Sequence, residues 1–128
     1  MSYYYGKKVQ GTYEGVIEKV TEELKKEGFG VLTEIDVAAT FKKKLDVDFK
    51  KYKILGACNP NFAHKALQAE DKIGVMLPCN VIVVESDPGY FEVSAVNPIA
   101  SMQAVGNESL AGIAGEVEKK LKNVIDSL

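Results

Sequence analysis

Ile73-Gly74-Val75-Met76-Leu77-Pro78-Cys79-Asn80-Val81-Ile82-Val83-Val84-Glu85, with the turn Ser86-Asp87-Pro88-Gly89 and the return Tyr90-Phe91-Glu92-Val93-Ser94-Ala95-Val96, is the stretch on which the fold depends. The run from Ile73 to Glu85 is the longest strand signal in the chain, interrupted only at Pro78. Proline has no N–H to give to a ladder, so position 78 is expected at a bulge or on an unpaired edge. Ser86 to Gly89 has turn chemistry. Tyr90 to Val96 comes back with Phe91, Val93 and Ala95 alternating against Glu92 and Ser94, which predicts a hairpin.

The first arm of that hairpin has two apolar faces. Val75, Leu77, Cys79, Val81 and Val83 fall on one; Met76, Pro78, Ile82 and Val84 fall on the other, where only Asn80 is polar. A strand apolar on both sides is covered on both sides. Two long helices can cover one face. Short helices, a ligand or a second copy of the chain must cover the other, and a closed two-fold pair is the commonest oligomer. A homodimer is expected on that ground.

Upstream, Tyr3 to Val9 reads as a first strand. Thr12 caps a helix whose apolar residues Tyr13, Val16, Ile17, Val20 and Leu24 recur at helical spacing up to Gly28. Phe29 to Ile35 is strand-like, Asp36 caps a short helix from Val37 to Leu45, and Tyr52 to Cys58 is a third strand. Asn59-Pro60 opens another short helix, because asparagine caps well and proline is pre-set for the first helical position. Downstream, Asn97-Pro98 repeats that signal for a turn or two that stops at Gly106. The last helix begins near Asn107, with Leu110, Ile113, Ala114, Val117, Leu121, Val124 and Ile125 as its buried stripe. The order β-α-β-α-β-α-β-β-α-α predicts an α+β fold with helices packed on one face of a sheet.

Composition bounds the function. Residues 1–128 fit one domain, and a net charge of −2 exerts no general pull on nucleic acid or anionic lipid. Every one of the 16 basic residues is lysine. Arginine's planar fork, the usual tool for phosphates and guanine edges, is missing. The cluster Lys42, Lys43, Lys44, Lys50, Lys51 and Lys53 is read as a solvated face. No apolar run approaches the ~18 residues that span a bilayer, and the N-terminus lacks the apolar core of a signal peptide. Two cysteines without an export signal point to reduced thiols in a cytoplasm. Neither nucleic acid nor membrane is expected as a partner.

The chemistry-bearing residues centre on two Cys-Asn pairs, Cys58-Asn59 and Cys79-Asn80, each following apolar strand residues. Cys58 precedes the cap of the helix opened by Pro60, where the helix dipole favours a thiolate. His64, Cys58 and Cys79 are soft metal ligands in type, but without the paired spacing of a metal motif. Glu34 and Asp36 lie two apart on a strand end, hence on one face, where paired carboxylates can do acid–base work. Asp36 also has the simpler task of capping. No P-loop, dinucleotide fingerprint or catalytic triad pattern is present, so no cofactor is expected and catalysis is not the first expectation.

Three segments carry a family resemblance: Val31-Leu32-Thr33-Glu34-Ile35-Asp36-Val37, Ile54-Leu55-Gly56-Ala57-Cys58-Asn59-Pro60 with Ala63, and Leu77-Pro78-Cys79-Asn80-Val81. Together they resemble the bacterial and archaeal family called domain of unknown function 302, nearly end to end. The resemblance implies a mostly antiparallel sheet of four to five strands backed by helices, similar to the TATA-box-binding-protein class, with no DNA binding and no established activity. In that family glycine commonly follows the leucine of the lysine-rich helix; here Asp46 stands there. The expected function is a small binding domain with Cys58, Asn59, Cys79 and Asn80 about a cleft and Glu34 and Asp36 near it. The alternatives are a thiol-redox or metal-handling protein using Cys58 and Cys79, and a structural module with inert cysteines.

Overall fold

A computed structural model describes residues 2–128; Met1 lies outside the described residues. The strands are β1 (Tyr4–Gln10), β2 (Gly30–Asp36), β3 (Tyr52–Cys58), β4 (Cys79–Asp87) and β5 (Tyr90–Val96). The helices are α1 (Tyr13–Lys26), α2 (Val37–Leu45), α3 (Pro60–Ala69), α4 (Pro98–Gln103) and α5 (Ala111–Asp126), with 3₁₀ turns at Asp71–Met76 and Glu108–Leu110. The expected order is reproduced. The strands form one sheet in the order β1-β5-β4-β3-β2, and every neighbouring pair is antiparallel. β4, apolar on both sides in sequence, is the middle strand. No helix among the described residues is long and apolar enough to cross a membrane.

Local chemistry starts and stops the elements as read. Thr12 Oγ1 accepts from the Gly15 N–H at 3.0 Å, and Asp36 accepts from the Ala39 N–H at 2.9 Å. Gly28, at φ +85°, takes the chain out of α1. Asp46 closes α2 in the same left-handed region, at φ 53°, with Lys42 Nζ 3.2 Å from its carboxylate. An aspartate thus does there what glycine does elsewhere.

The run from Ile73 to Glu85 is not one strand. Asp71–Met76 is a 3₁₀ turn, the Leu77–Pro78 peptide is cis, and β4 begins only at Cys79. Pro78 has no N–H, and the Leu77 N–H is already given to the Gly74 carbonyl at 3.2 Å, so the ladder cannot extend back through these positions. Val75 is 86% exposed, and neither it nor Met76 belongs to a sheet face.

Two apolar clusters hold the chain together. In the larger, Val16, Val20 and Leu24 of α1 and Val117, Leu121, Val124 and Ile125 of α5 pack with Leu55, Ala57, Val81, Val83, Val93 and Ala95 of the sheet. In the smaller, Ala66, Ile73 and Leu110 meet Leu77, Met102 and Val105 at one end of the sheet. The opposite sheet face is less covered. One row across it runs Ile35, Ile54, Ile82, Ser94, Gly6. Phe41 and Phe49 meet edge-on at 5.2 Å, and Phe49 stands 6.3 Å from Tyr52, which lays α2 and its following loop over one end of that face. Val84, the partner of Tyr52, is buried within the chain, so this end of the face has its cover without a second copy.

Candidate functional site

The ends of β3 and β4 bring the cysteines together. Ala57 is the register partner of Cys79, and Cys58 is the last residue of β3. Pro60 then turns the chain directly into α3. Where the larger and smaller clusters meet, their side chains do not fill the space. A cavity of about 400 Å³ remains, walled by Ala57, Cys58 and Cys79 from the sheet and by Phe62 and Ala66 from α3. Met102 of α4 and Ala114 and Val117 of α5 close the far side. The lining contains no Asp, Glu, Lys or His; its polar side chains are Thr33, Asn59 and the two thiols. The volume falls within the range of roughly 300–1,000 Å³ found for small-molecule sites.

Burial in this wall pushes the Cys79 thiol up from 9.0 to about 11, with the nearby Cys58 adding to the effect. An apolar surround penalises the thiolate. At neutral pH Cys79 therefore presents a neutral S–H, a weak donor and a soft apolar surface.

The remaining residues singled out in the sequence divide. Asn59 lines the cavity and occupies the cap position of α3, but its side chain makes no capping bond. Its Nδ2 instead donates to the Glu27 carbonyl at 3.2 Å and ties the end of α1 to the start of α3. The tertiary partner wins because Gly28 lets the α1 exit come so close: a Cβ on Gly28 would stand 3.0 Å from Asn59 Nδ2. Asn80 is exposed on the opposite sheet face, across from Gly56, and does not line the cavity. Glu34 and Asp36 share a face as expected, opposite Leu55 and Lys53, but they are outside the cavity, and Asp36 is spent on its cap. His64 is exposed on α3, in a shallow polar depression with Lys26, Glu27 and Lys120. Cys58, Cys79 and His64 do not converge: among the described residues no three His, Cys, Asp or Glu side chains gather to hold a metal.

What the sequence concealed is the apolar half of the site. Phe29, Phe62, Met102, Ala114 and Val117 look like ordinary core residues in one dimension. The available signal was size. Ala63 and Ala66 on α3 and Ala114 on α5 present small side chains to the same space, and small side chains facing one another leave volume.

A comparison with curated proteins finds no match. Among solved structures, the chain is similar to the crystal structure of an uncharacterized conserved protein DUF302 from Bacillus stearothermophilus, at 30% identity and a TM-score of 0.91, over 98% of each chain. The family model described as domain of unknown function DUF302 matches residues 5–128. The cavity and both cysteines lie within that match, as do β2 to β5 and β1 from Tyr5 onward, and the chain belongs to the DUF302 family.

Proposed function

We propose that this chain is a small-molecule-binding domain whose ligand is uncharged and largely apolar, held in the cavity beside Cys58 and Cys79. The observation that carries this is the lining: about 400 Å³ of space with no ionisable carboxylate, amine or imidazole on its walls. An ion placed there would lose its hydration without gaining a partner, at a cost of many kcal/mol. An apolar molecule loses nothing of the kind and gains by burial, about 25 cal/mol per Å². Of the polar side chains in the lining, Asn59 already gives its Nδ2 to the Glu27 carbonyl, which leaves Thr33 as the free hydroxyl.

The thiol-redox and metal alternatives draw less support, because Cys79 holds its proton and no third ligand stands by. Two free thiols suit a reducing cytoplasm, and we place the protein there as a homodimer paired through the sheet face opposite α1 and α5.

The test is a fluorescence titration with the neutral dye N-phenyl-1-naphthylamine, alongside native mass spectrometry of the purified protein. Saturable binding is expected, weakened at least about tenfold by Ala63→Phe, which fills the cavity from α3. A flat titration, or equal binding by the filled variant, would falsify the assignment.

A further inference from the structure

Of the residues lining the cavity, four are exposed: Leu32 and Thr33 on β2, Leu67 on α3 and Gly74 in the 3₁₀ turn. A lining residue that water also reaches stands where the cavity opens. The mouth therefore lies between the β2 edge of the sheet and the corner where α3 runs into the 3₁₀ turn.

Leu32 is placed there by a defect in the ladder. Val31 pairs with Ala57 and Thr33 with Gly56, so Leu32 is an extra residue with no partner on β3. Such a bulge breaks the strict alternation of side chains and re-aims one of them. Gly56 packs closely beside the bulge: a Cβ there would collide with Thr33 Oγ1 and stand 2.9 Å from Pro78 Cγ. The result is a leucine that is 68% exposed while lining an apolar cavity.

We infer that Leu32 is a specificity-determining residue of this site, standing over the mouth and closing onto the bound apolar molecule so that its size governs uptake and release. This rests on the ligand-binding reading given above. Without a ligand, most of the leucine side chain meets water. With an apolar ligand at the mouth, ligand and side chain each cover surface that the other leaves exposed, and the ligand must pass Leu32 to leave. Leu67 offers a second apolar surface at the mouth, 43% exposed, with its Cδ2 4.0 Å from where a Cβ on Gly74 would stand. Gly74 carries no side chain to narrow the gap.

The test is stopped-flow fluorescence with N-phenyl-1-naphthylamine on the full chain and on Leu32→Ala, Leu32→Trp and, as a control, Val75→Ala, a residue 86% exposed and outside the lining. Release is expected at least about fivefold faster from Leu32→Ala, which removes the cover. Uptake is expected at least about threefold slower in Leu32→Trp, which narrows the mouth. The control keeps wild-type rates. Because Leu32 is exposed, both variants should melt with the wild type. Dye binding with unchanged rates in both Leu32 variants overturns this inference and leaves the ligand-binding assignment standing. A wild-type protein that takes up no dye overturns both.

Discussion

Cys79 and Asn59 act through their surroundings rather than through their own chemistry. Burial keeps the Cys79 proton in place up to about pH 11, against an ordinary value of 9.0. In a Cys58→Ser variant, alkylation of Cys79 by iodoacetamide should be slow at neutral pH and still rising at about pH 10. A plateau below about pH 9 would remove the burial argument. The same shift has a consequence for stability. Between 9.0 and about 11 the unfolded chain releases a proton that the folded chain keeps, so stability falls as pH rises through that window. Tyr13, pushed up to about 12 chiefly by burial and then by Asp36, acts in the same direction. Thermal melts from about pH 8 to about pH 10.5 should show a decline that is shallower in Cys79→Ala. Asn59 is the joint between α1 and α3. Asn59→Ala leaves the Glu27 carbonyl without its partner and should cost about 1–2 kcal/mol in a urea melt. A loss near zero would show that water replaces the amide.

At the scale of elements, α5 shares with α1 the sealing of one face of the sheet. Leu121 is 2% exposed within the larger cluster, so Leu121→Ala should cost about 2–5 kcal/mol. The stripe from Leu110 to Ile125 was legible because its helical period runs without interruption. Caps at Thr12 and Asp36 were legible too, since their partners lie three residues away in the chain. The β2 bulge was not. Nothing in Val31-Leu32-Thr33 marks an extra residue, because a bulge is a relation between two strands. The partner strand packs tightly against the residue after the bulge: Gly56→Ala would force its Cβ against the Thr33 and Pro78 side chains, and should destabilise by about 1–3 kcal/mol in a urea melt. Unaltered stability would show that those side chains yield to the added methyl group.

For the whole molecule, the two faces of the sheet differ in cover. α1 and α5 seal one, whereas Ile35 on the other is 48% exposed, and Leu45 at the end of α2 and Val47 and Phe49 in the loop after it are 64%, 45% and 45% exposed. Contiguous apolar surface beyond a few hundred Å² is seldom left to water. A two-fold pair through this face is expected, with a particle of twice the 14.0 kDa chain mass by light scattering across a concentration series. Ile82→Lys, at the centre of the row across that face, should shift the population to monomer. A particle that stays at 14.0 kDa up to high concentration would mean that α2 and its loop give all the cover this face needs.

By itself the sequence determined the elements, their order, the α+β class and the proximity of both cysteines to strand ends. Each of these follows from neighbours a few residues apart: alternation, helical period, caps and turns. Only the tertiary structure decided what the cysteines face. It put Asn80, Glu34 and His64 outside the site, turned Asn59 from a helix cap into a tie between helices, and opened a space between the two apolar clusters. Packing decides such things, because a cavity is the volume left when side chains from many segments fail to meet, and no single segment encodes that volume.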